Sequence, residues 1–132
     1  MKLVLLASAL ALAGSAVAAD PAGLLAGYQA DARKADAAFA ASAQRGEQFF
    51  NATHGGEWSC ASCHGNPPVA AGRHARTGKT ILPLAPAANP QRFADAARSE
   101  KWFGRNCNDV LGRACTSAEK ADVLAYLLKG RS

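Results

Sequence analysis

Apolar residues recur at helical spacing near both ends of the chain. Val123, Leu124, Leu127 and Leu128 line one helical face. Thr116-Ser117-Ala118-Glu119 is a capping box in front of them and Gly130 closes the run. Leu24, Leu25 and Tyr28 form a similar stripe, with Asp20 as cap and Pro21 at the first helical position. A second helix is predicted from Ala37 to about Phe50, placing Gly46 and Phe50 on one face, four residues apart. Asn89 as cap, Pro90 at the first position and Gly104 as stop predict another helix, with Phe93, Ala97 and Trp102 inward. Thr53 to Ser59, with Gly55-Gly56, reads as a turn. Gly65 to Asn89, with Pro67-Pro68, Gly72, Gly78, Pro83 and Pro86, reads as irregular. β-Branched residues are few and no alternation is sustained, so the fold class is all-α. A long irregular stretch inside a small domain points to function, such as wrapping a cofactor.

The first residues stand apart. Lys2 is followed by an apolar run from Leu3 to Ala13, and the stretch closes on Ala16-Val17-Ala18-Ala19. That order is a secretory signal peptide, residues 1–19, with cleavage after Ala18 or Ala19. Gly14 and Ser15 interrupt a run too short for a membrane span, which needs roughly 20 apolar residues. No second apolar segment follows, so the expectation is an exported, periplasmic chain whose mature part does not insert into membranes. Residues 20–132 are expected to form one domain. A domain of this size gains from a large apolar cofactor that adds buried contact.

Export changes how the four cysteines are read, because an oxidising compartment permits disulfides. Three connectivities are formally open. Cys60-Ala61-Ser62-Cys63 alone fits a redox pair or half of a zinc site, but His64 follows directly, and Cys-x-x-Cys-His is the attachment motif of c-type haem. Two thiols at this spacing add across the haem vinyl groups, and the adjacent histidine reaches the iron as proximal ligand. A redox pair has no need of the histidine, and a zinc site needs further ligands that His74 and the distant cysteines supply poorly. The expected cofactor is one covalently attached haem c.

The opposite face of the iron is less clear from residue types. The chain has one methionine, Met1, which leaves with the leader, so the His/Met pair of many small cytochromes is not available. His54, His74, Lys79, Lys101, a weak donor such as Asn106, or no ligand all remain. By residue type Asn106 reads first as a turn cap after a helix end at Gly104. Cys107 and Cys115, eight positions apart, would close a small loop there if joined. Trp102 and Phe103 are candidate pocket walls, although ordinary core packing accounts for them equally.

At this point the chain resembles the SHP (sphaeroides haem protein) family, high-spin relatives of class I cytochromes c. The resemblance is carried by Leu25-Ala26-Gly27-Tyr28, Arg45-Gly46, Cys60 to Gly65, Arg76-Thr77-Gly78-Lys79 and Pro83-Leu84-Ala85-Pro86. It continues through Glu100-Lys101-Trp102, Gly104-Arg105-Asn106-Cys107-Asn108, Gly112-Arg113, Cys115-Thr116 and Glu119-Lys120-Ala121-Asp122. It implies a class I cytochrome c fold in which N- and C-terminal helices cross, with Gly46, Phe50 and Tyr126 as candidates for the contact. It also implies His64 as proximal ligand, a Cys107–Cys115 disulfide, and Asn106 as a sixth ligand that leaves on reduction. Oxygen, nitric oxide or carbon monoxide then binds. The implied electron donor is a dihaem cytochrome c. Oxygen-reducing or nitric oxide-consuming turnover is left open, and a simple electron carrier is the alternative.

Charge refines the partners. The chain carries +5, or +4 without Lys2. Residues 20–58 sum to −2 and residues 59–132 to +6, so the basic excess travels with the haem motif. A basic rim suits an acidic redox partner. Arg73, Arg76 and Lys79 are candidates to pair with haem propionates. Nucleic acid is not expected, because the chain is exported and has no such motif.

Overall fold

The computed structural model describes residues 20–130; the leader assigned to residues 1–19 lies outside them. Five helices and one small antiparallel sheet are described: α1 (Pro21–Ala32), α2 (Ala43–Asn51), α3 (Cys60–His64), β1 (Gly72–Arg73), β2 (Thr80–Ile81), α4 (Ala96–Leu111) and α5 (Ser117–Lys129). Gly72 pairs with Ile81 and Arg73 with Thr80. Among the described residues no helix is long and apolar enough to cross a membrane.

α1 and α5 begin where their sequence signals lie. The Asp20 carboxylate accepts from the Gly23 amide. Thr116 and Glu119 close the capping box, each side chain bonding the other's backbone N–H. α2 starts later than expected, at Ala43 rather than Ala37. The intervening residues are drawn into side-chain bonds: Asp36 accepts from the Ala38 amide, Gln29 from the Ala41 amide, and Arg33 donates to the Phe39 carbonyl. Ser42 then caps the helix by accepting from the Arg45 amide.

The helix expected from Asn89 to Gly104 is misplaced, because the chain makes turns up to Asp95 and α4 then runs to Leu111. Asn89 forms a local turn, its side chain accepting from the Gln91 amide and donating to the Pro83 carbonyl. Phe93 has φ +60°, in the left-handed region, which no helix passes through. Asp95 is the actual cap. Gly104 does not stop α4: it keeps a helical backbone within the helix, on an open face where an added Cβ meets nothing within 4 Å. Gly112, at φ +69°, ends the helix.

The core is built around α5, which packs against both α1 and α2. Tyr28, Ala121 and Leu124 form one buried cluster and Phe50, Val123 and Leu127 another; Phe93 and Phe103 pack against both. At Gly46 the α2 backbone approaches α5 so closely that a Cβ would overlap the Asp122 carbonyl and sit 3.0 Å from the Tyr126 Cβ. The Phe50 and Tyr126 rings lie 5.5 Å apart. Gly46, Phe50 and Tyr126 thus form the contact expected of them. Asp122 locks the same junction, accepting from Arg45 Nε at 2.7 Å, Arg45 Nη2 at 2.8 Å and the Ser42 amide at 2.7 Å.

Candidate functional site

Cys60, Cys63 and His64 share the short helix α3. Ser59 caps it by accepting from the Ser62 amide, and Ser62 Oγ accepts from the Ser59 amide. Neither cysteine is in a disulfide. Burial pushes the Cys60 thiol up to about 11, so it is protonated at neutral pH. A reactive redox pair needs the reverse, a thiol held well below its ordinary value. Among the described residues no group of three or more His, Cys, Asp and Glu side chains could hold a metal ion, so a zinc site built from protein ligands alone is not assembled.

His64 has the properties of a neutral nitrogen ligand. Burial first, and the positive charge of Arg92 second, push its imidazole down to about 4. Its Nδ1 is buried without a protein partner. The Phe50 ring lies 6.3 Å from the imidazole, linking α3 to the core. Two cysteines outside any disulfide and a neutral histidine on one helix fit a covalent haem: the thiols match its vinyl groups and the imidazole its iron.

The loop that follows α3 folds back over it. At Gly72 the backbone passes the Cys63 carbonyl so closely that a Cβ would overlap it. The Ala75 amide donates to Cys63 Sγ at 3.2 Å. Gly72 was not singled out for this role from sequence, because the contact joins residues nine positions apart through a hairpin whose strands are two residues each.

The other candidates are spread over three segments. Asn106 lies inside α4, not after a helix end, and is exposed. It stands one position before Cys107, which is buried and disulfide-bonded to Cys115. Trp102 and Asn106 are i and i+4 on one face of α4, beside the inward stripe of Ser99, Phe103 and Cys107. Phe103 packs edge-on against Tyr28, ring centroids 5.8 Å apart, and Trp102 is 47% exposed. Arg73, Arg76 and Lys79 are all exposed around the β1–β2 turn. Arg73 donates to the Gly78 carbonyl and Arg76 sits over the Trp58 ring at 5.0 Å. His74 is exposed and accepts from the Thr77 amide; His54 is exposed and donates to the Phe49 carbonyl.

Known proteins are similar to this chain in sequence and fold. A family model described as a domain of unknown function (DUF1924) matches residues 36–127. The cytochrome c-type protein SHP of Cereibacter sphaeroides is 52% identical over 122 residues, covering 88% of this chain and 90% of that one. The structure of oxidized SHP, described as an oxygen binding cytochrome c, superposes with a TM-score of 0.75 at 50% identity, covering 85% of this chain and 98% of the other. The solution structure of Methylophilus methylotrophus cytochrome c'', described as giving insights into haem-ligand detachment, superposes with a TM-score of 0.73 at 41% identity, covering 83% and 93%. The helical order, the Cys60–His64 helix and this similarity agree, and the chain belongs to the SHP family of class I-type cytochromes c, whose haem c is covalently attached.

Proposed function

We propose that residues 20–132 are a single exported, periplasmic cytochrome domain that accepts electrons and then opens a site for a diatomic gas. Cys60 and Cys63 hold the haem by thioether bonds and His64 is the proximal ligand. Asn106 is the distal ligand of the oxidised protein. Haem bound here supplies an iron that cycles between ferric and ferrous and takes small diatomic molecules in the ferrous form.

The observation that carries this reading is the placement of Asn106. It precedes Cys107, whose disulfide ties the end of α4 to the start of α5, in a chain with no methionine beyond Met1. A carboxamide oxygen is a weak neutral donor. It is attracted more by a ferric than by a ferrous centre, so its hold weakens on reduction. Trp102 and Phe103 wall the space that Asn106 leaves. A dihaem cytochrome c supplies the electrons, docking on the basic half of the chain.

Optical spectra of oxidised, dithionite-reduced and carbon monoxide-treated protein test this. We expect reduction to give a high-spin ferrous spectrum that carbon monoxide converts. A low-spin ferrous spectrum indifferent to carbon monoxide would identify a simple electron carrier instead. In Asn106→Ala the oxidised spectrum must change while carbon monoxide binding to the reduced form persists.

A further inference from the structure

We infer that Arg92 is the internal cation of the haem site and that its anionic partner is a haem propionate. This rests on the reading that haem c is attached at Cys60 and Cys63.

Every other arginine among the described residues is exposed; Arg92 is half-buried. Arg45 and Arg113 answer the carboxylates of Asp122 and Glu119. Arg76 and Arg105 lie over the rings of Trp58 and Trp102. Arg92 has neither kind of partner. Its Nε donates to the Pro83 carbonyl at 3.0 Å and its Nη2 to the Leu82 carbonyl at 2.8 Å. No carboxylate among the described residues lies within ion-pair distance of it. Two neutral carbonyls orient a guanidinium but leave its charge uncompensated, and a partly desolvated charge calls for an opposite one. A guanidinium has five N–H donors, and its fork matches a carboxylate edge to edge. The donors not used on the two carbonyls remain for an incoming anion.

Its position is tied to the haem motif through the core. Arg92 precedes Phe93, whose left-handed backbone at φ +60° is held by packing against both core clusters, Cys60 and Ala61 flanking one of them. A bulky residue keeps that conformation only where its surroundings over-determine it. Phe93 in the core and the two carbonyls together set the direction of the Arg92 side chain. Arg73, Arg76 and Lys79, the propionate partners suggested by sequence, are exposed, and Arg73 donates to one carbonyl, of Gly78, where Arg92 donates to two.

A cation paired with a haem propionate favours the ferrous state, so it would set how readily the switch opens. The test compares purified wild-type holoprotein with Arg92→Gln and Arg92→Lys. The readouts are the midpoint potential and the resonance Raman bending band of the haem propionates. Arg92→Gln is expected to shift the one-electron equilibrium about tenfold toward the oxidised form, about 59 mV lower, and to move the propionate band. Arg92→Lys should keep most of the potential yet move the band, because it loses the fork. A wild-type potential and band in Arg92→Gln would overturn the assignment, as would lowered thermal stability with an unmoved band, which marks a loop clamp only. If Arg92→Gln yields no holoprotein, Arg92→Lys decides: an unmoved band there overturns the pairing. The alkaline pyridine haemochrome spectrum separates the underlying reading, because it reports thioether-linked haem whatever Arg92 does.

Discussion

At the scale of single residues, the chemistry of α3 was readable directly. Cys60, Cys63 and His64 are neighbours in sequence, and one helical turn brings them together without help from distant residues. Gly72 and Arg92 could not be read that way. Each acts through backbone carbonyls, of Cys63 for one and of Leu82 and Pro83 for the other, and no residue-type signal marks a carbonyl as a partner. Glu119 shows how a local signal acquires a second role. It closes the α5 capping box and also takes two bonds from Arg113, at 2.9 and 2.7 Å. Arg113 first, and the Thr116 amide with it, hold the Glu119 carboxyl below its ordinary value against the opposing effect of burial. The folded state therefore binds fewer protons than the unfolded one as pH falls through the normal glutamate range. Stability is lost as pH drops toward and through the depressed value. Glu119→Gln should lower stability at neutral pH by about 1 kcal/mol and flatten the acid limb of the stability curve, read by urea titrations from neutral pH downward.

Among elements, legibility followed the range of the interactions that set each boundary. α1 and α5 begin at caps that bond within three residues, and sequence located both. α4 was misplaced because Asn89-Pro90 and Gly104 look like punctuation in isolation. The left-handed Phe93 that breaks any helix from Asn89 is imposed by core packing, not by its own preferences. That shift changes the setting of Asn106 from a pinned loop to a helical face. The α2–α5 junction was anticipated through Gly46, Phe50 and Tyr126, though only by family resemblance. The Asp122 lock with Arg45 and Ser42 spans about 80 positions and was not foreseen. Gly46→Ala tests the junction. The new methyl group meets backbone, which cannot swing aside, so overpacking should cost about 1–3 kcal/mol and lower the melting temperature by several degrees, read by circular dichroism.

For the molecule as a whole, charge is divided along the chain, with residues 59–132 at +6 and residues 20–58 at −2. Arg73, Arg76, Lys79, Arg98, Lys101 and Arg105 are all exposed, so they are available to an incoming acidic surface. Reduction by an acidic donor cytochrome should therefore slow by roughly tenfold or more as salt is raised from low ionic strength, with little change for a neutral chemical reductant, measured by stopped-flow mixing. The Cys107–Cys115 bridge has a further consequence at this scale. Between those two residues the backbone is not the sole covalent path through the molecule, and Gly112, Arg113 and Ala114 in the bypassed segment are exposed. A protease that cuts there opens a ring instead of dividing the protein. The piece bearing Cys60 to His64 stays joined to the α5 that forms its core for as long as the two sulfur atoms remain bonded.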